Sequence, residues 1–157
     1  MKINGNELPK RIFKLIQEDK WIRPADTSKL LRLIVEKSPF EDDQSLLTKM
    51  VKGFTLYGLE SMKRESISFK KWAESGESVM LHGKKDTLVK PGEVDPDKLI
   101  LFADFGLGED TPFGLDFQED ESAPTVVLLY YGKDPFKDNR WVELTKSFEE
   151  FEELVMT

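Results

Sequence analysis

Apolar residues recur along this chain with two periods, one helical and one extended. Near the N-terminus, Leu8, Ile12, Leu15 and Ile16 fall at helical spacing. Asn6 is expected to cap that helix, with Glu7 in its first turn and Pro9 tolerated there. The pattern breaks at Lys20-Trp-Ile-Arg-Pro24, where Pro24 disfavours helix at Arg23 and Trp21 is expected to anchor the turn to the core. A second helix, capped by Asp26 or Thr27, carries Leu30, Leu33 and Ile34 and stops at Ser38-Pro39. A third covers Asp43 to Lys52 through Leu46, Leu47, Met50 and Val51, with Gly53 as its C-terminal residue.

From Phe54 the period changes. Phe54 to Leu59 alternates and reads as a first strand. Glu60 to Ala73 returns to helix, with Met62, Phe69, Trp72 and Ala73 as its buried stripe, Ile67 outside it and Gly76 at its end. Val79 to His82 is short enough for a strand, and Gly83 to Lys98 is a long polar loop with Pro91, Gly92 and Pro96. Leu99 to Phe117 then reads as one β-hairpin: an apolar run to Ala103, a turn at Gly106-Leu-Gly-Glu-Asp110, and a return strand alternating Phe113, Leu115 and Phe117. Thr125 to Tyr131 is the most apolar strand, and its unbroken Val126 to Leu129 implies burial on both faces. After a turn at Gly132 to Asn139, Arg140 to Leu144 is the last strand, with Trp141 and Leu144 packing. Ser147 and Glu150 have capping-box spacing ahead of a final helix with Phe148, Phe151, Leu154 and Val155 on one side.

The order predicts an α+β fold: N-terminal helices over 1–53, then a central, mostly antiparallel twisted sheet and a C-terminal helix over 54–157. A length of 157 residues fits a single domain with its own core. There is no internal repeat and no low-complexity segment.

Composition narrows the chemistry. The absence of cysteine removes disulfides, thiolate metal sites and thiol catalysis, and fits a cytoplasmic setting. The start, MKINGNELPKR, lacks the apolar core of a secretory signal, and no run of about 18 apolar residues is present to cross a membrane. A net charge of −7 argues against nucleic acid as partner. The charge is also uneven. Between Leu99 and Gly132 there is no Lys or Arg but there are seven acids: Asp104, Glu109, Asp110, Asp116, Glu119, Asp120 and Glu121. A field of one sign can steer a basic partner, and it can also serve solubility alone.

Candidate catalytic groups are few. The one histidine, His82, has no nucleophile elbow near it in sequence. Asp104, Asp110 and Asp116 recur every six residues, so a carboxylate pair or a Mg²⁺ or Ca²⁺ site comes into question, but the loop does not follow the EF-hand pattern. Aspartates at strand ends more often cap turns through their own backbone. Gly106 and Gly108 lack the third glycine of a dinucleotide fingerprint and the Lys-Ser/Thr of a phosphate loop. No cofactor and no metal is therefore expected. The aromatics Phe54, Tyr57, Phe102, Phe105, Phe113, Phe117, Tyr130 and Tyr131 are expected mostly in the core, with any left on an open face available as contact anchors.

One ordered series extends this reading. Phe105-Gly-Leu-Gly-Glu-Asp110, Leu115-Asp116, Pro124-Thr-Val126 and Ser147-Phe-Glu-Glu-Phe151, preceded by Phe54-Thr-Leu-Tyr-Gly-Leu-Glu60, resemble the SUKH superfamily. That group includes yeast cell-wall-assembly regulators and bacterial toxin-immunity proteins. The resemblance covers residues 54–155 and rests on the order of the motifs. It implies an α+β domain without a catalytic constellation that binds a protein partner, often a nuclease toxin. The expectation is a non-catalytic cytosolic immunity protein whose acids meet a basic toxin domain. A regulatory scaffold for a host partner is the second reading. A hydrolase using Asp104, Asp110 and His82 is the third and the least supported.

Overall fold

A computed structural model of the chain describes residues 1–39, 53–75, 94–105, 111–131 and 139–155. The expected third helix, the short strand ending at His82, Gly76, most of the long loop, and the turns at 106–110 and 132–138 lie outside these residues.

The chain opens on a hairpin, not a helix cap. Strands β1 (Lys2–Ile3) and β2 (Asn6–Glu7) pair antiparallel. Asn4 and Gly5 between them both have positive φ, 51° and 81°, as a two-residue primed turn requires. Asn6 is thus a strand residue. Its side-chain amide donates to the carbonyls of Ile3, Asn4 and Asp97, so it cannot cap helix α1 (Lys10–Gln17). Helix α2 (Ser28–Lys37) starts where expected: Asp26 Oδ1 accepts the Ser28 N–H at 2.9 Å. Trp21 fills the turn between the two helices. Its indole N–H donates to the Tyr57 carbonyl at 2.8 Å and its ring meets Phe102 and Phe148.

Five strands form the main sheet in chain order: β3 (Thr55–Leu56), β4 (Leu99–Asp104), β5 (Pro112–Asp116), β6 (Thr125–Tyr131) and β7 (Asn139–Thr145). Every described pairing is antiparallel. Helix α3 (Leu59–Ser75) lies between β3 and β4 in sequence, and α4 (Phe148–Val155) closes the chain. The fold is α+β, as the patterning predicts.

Two strand and helix assignments change. The first strand is two residues long, because the Gly58 carbonyl already accepts from Met62 N–H and starts α3. Trp72 is 58% exposed instead of buried. The buried stripe of α3 runs Met62, Ser66 and Phe69, the expected Ala73 is only half-buried, and Trp72 falls on the flank of the stripe.

The sheet is buried on both faces. Ile100, Phe102, Phe113, Leu115, Val126, Leu128 and Leu144 pack with Ile12 and Leu15 of α1, Leu30 and Ile34 of α2, and Phe148, Phe151 and Val155 of α4. Leu99, Leu101, Val127, Leu129 and Trp141 form the other face, with Phe69 of α3 against them. This explains the apolar run in β6, where successive residues face opposite cores. A bulge between Leu101 and Ala103 shifts the register of β4, so Phe102 and Ala103 join the same core. The Leu101 N–H beside that bulge is met by Ser66 Oγ at 2.9 Å.

Candidate functional site

The β4–β5 hairpin carries the acids, and its register places them. Asp104 pairs with Pro112 at one end, and Leu99 pairs with Asp116 at the other. The same span on β5, from Pro112 to Asp116, is four residue steps of extended chain, about 13 Å. The carboxylates of Asp104 and Asp116 therefore do not converge. Among the described residues no three His, Asp or Glu side chains gather as metal ligands. Glu109, Asp110 and His82 lie outside the described residues.

The Tyr57 hydroxyl donates to Asp104 Oδ2. Tyr57 is half-buried and packs against both cores. Around it Phe54, Phe102, Phe105, Phe113 and Phe151 form a continuous set of ring contacts, with centroids between 5.1 and 6.1 Å for the pairs that Phe113 makes. These rings are fully buried, as are Phe117 and Tyr130 to within a few per cent, so they serve the core and are not surface anchors. Tyr130 donates to the Ile34 carbonyl at 2.8 Å, and burial pushes its phenol pKa up.

Asp116, Glu119, Asp120 and Glu121 lie at the other end. Phe117 to Pro124 connects β5 to β6, and Glu119, Asp120 and Glu121 on it are exposed. Two aspartates shape this loop. Asp116 Oδ1 accepts the Gln118 N–H at 3.0 Å, and Asp120 Oδ1 accepts the Ser122 N–H at 2.8 Å and its hydroxyl at 2.7 Å. Both are Asx turns, in which a short carboxylate replaces a backbone carbonyl. Phe117 N–H donates to the Lys98 carbonyl at 2.8 Å, and the Lys98 ammonium pairs with Glu121 at 2.9 Å.

Electrostatics differ among these carboxylates. Burial pushes the Asp116 carboxyl above its ordinary value, the Gln118 hydrogen bonds oppose that, and the nearby Glu119 and Asp95 add to it. Hydrogen bonding to Ser122 lowers Asp120, and the bond from Lys98 lowers Glu121. Asp116 and Asp120 thus hold the loop, Glu121 is tethered though 83% exposed, and Glu119 projects from the same turn.

Sequence reasoning missed the support beneath this loop. Asp95 caps a 3-10 turn over Pro96–Lys98 by accepting the Asp97 N–H at 2.9 Å. Lys70 of α3 pairs with Asp97 at 2.8 Å, and Asn6 reaches the Asp97 carbonyl at 2.9 Å. The Asp95-Pro96 step is a readable helix-start signal. The partners from α3 and the first hairpin are not readable, since they come from 27 and 91 residues away.

No protein-family model, no curated protein and no solved structure matches the chain. Among the described residues no helix is long and apolar enough to cross a membrane.

Proposed function

We propose that the chain is a non-catalytic protein-binding module, a cytosolic immunity protein of SUKH type that neutralises a basic toxin domain. The observation that carries this reading is the β5–β6 loop. It presents Glu119, Asp120 and Glu121 to solvent on a backbone fixed by two Asx turns and a tether to Lys98. Fixed carboxylates lose little freedom on binding, and exposed ones accelerate encounter with a surface of opposite charge. A nuclease surface is basic because it must hold phosphates. Asp104 and Asp116 enter as groups that position the hairpin and the loop, not as contacts. The SUKH part of the reading is supported by the motif series, of which Leu115-Asp116 lies in β5, Pro124-Thr-Val126 runs into β6 and Ser147-Phe-Glu-Glu-Phe151 runs into α4.

Pull-down from native lysate names the partner. A toxin fits; a housekeeping complex would favour the regulatory-scaffold reading. With that partner in hand, Glu119→Lys, Asp120→Lys and Glu121→Lys together are expected to slow association at low salt by roughly tenfold or more and to flatten its salt dependence. An unchanged association rate would remove the loop from the interface.

A further inference from the structure

We draw no further inference here: the strongest candidate, the cluster of carboxylates at Asp95, Asp116 and Glu119 where the β5–β6 loop meets the Pro96–Lys98 turn, belongs to the site already described and has no second observation that points to a ligand.

Discussion

The two ends of the β4–β5 hairpin carry the same residue type to opposite purposes. At one end Asp104 receives the Tyr57 hydroxyl beside a wall of buried phenylalanines. At the other, Asp116 and Asp120 bend a solvent-facing loop through their own backbone neighbours. An aspartate at the first end is bound up with the packing of the fold. At the second end the acids shape or decorate a surface. Among the described acids, the hairpin register places Asp104 at one end and Asp116 with the loop acids at the other.

If that contrast is real, substitutions should lose their effect on stability from the packed end to the presented end. The largest loss is expected for Phe113→Ala, at about 3–5 kcal/mol, because the ring is wholly buried and touches four other aromatic rings. Urea unfolding monitored by tryptophan fluorescence measures it, and a loss below about 1 kcal/mol would mean that the cluster does not hold this end.

Midway along the hairpin, Ser66→Ala removes the acceptor of the Leu101 N–H and leaves that buried donor unmet. A cost of about 1–3 kcal/mol is expected. Hydrogen exchange at Leu101 should accelerate in the variant; unchanged protection there would show that another group serves the donor.

At the loop end the sign reverses. Asp116 has a raised folded-state pKa, so its contribution to stability is complete below the ordinary aspartate value and is lost as pH rises through the folded value. Above that window the ionised carboxylate is a net burden. Asn can still accept the Gln118 N–H, so Asp116→Asn should raise the thermal midpoint at neutral pH and reduce the decline from acidic to neutral pH. Thermal melts across that range decide the matter, and a lower midpoint at neutral pH would mean that the Asx bond outweighs burial. The smallest effect is expected from Glu119→Lys, which leaves both Asx turns and the Lys98–Glu121 pair in place. Its denaturation midpoint should stay close to that of the parent chain, while association with the partner changes. A large drop would place the loop with the structural end.

Much of the sheet is legible in the sequence because strands packed on both faces leave a strong mark. Val126 to Leu129 has no polar member, and that run tells of two covered faces before any coordinate does. The final helix is equally open to reading. Ser147 Oγ accepts the Glu150 N–H at 3.2 Å, and Glu150 reaches back to the Lys146 N–H at the same distance. The first hairpin is different. Asn4-Gly5 is a strong turn signal, but strands of two residues offer no alternation to support it. Ser66 is harder still. A serine in an apolar stripe looks like a defect until the bulge in β4 exposes an N–H that needs it. Among the candidate acids, the short spacings from Asp116 to Gln118 and from Asp120 to Ser122 already contain the loop's shape. The separation of Asp104 from Asp116 needed the hairpin register.

The pairing of Ser66 with the β4 backbone has a consequence for assembly. An uncovered sheet margin invites another extended chain to lay itself alongside, which is how many proteins begin to form fibrils. On the β4 side, β3 occupies Ala103 and Asp104, Tyr57 N–H takes the Phe102 carbonyl at 2.9 Å, and Ser66 takes the Leu101 N–H. These rungs are filled by the chain itself. An extended chain approaching them would first have to displace β3 or α3.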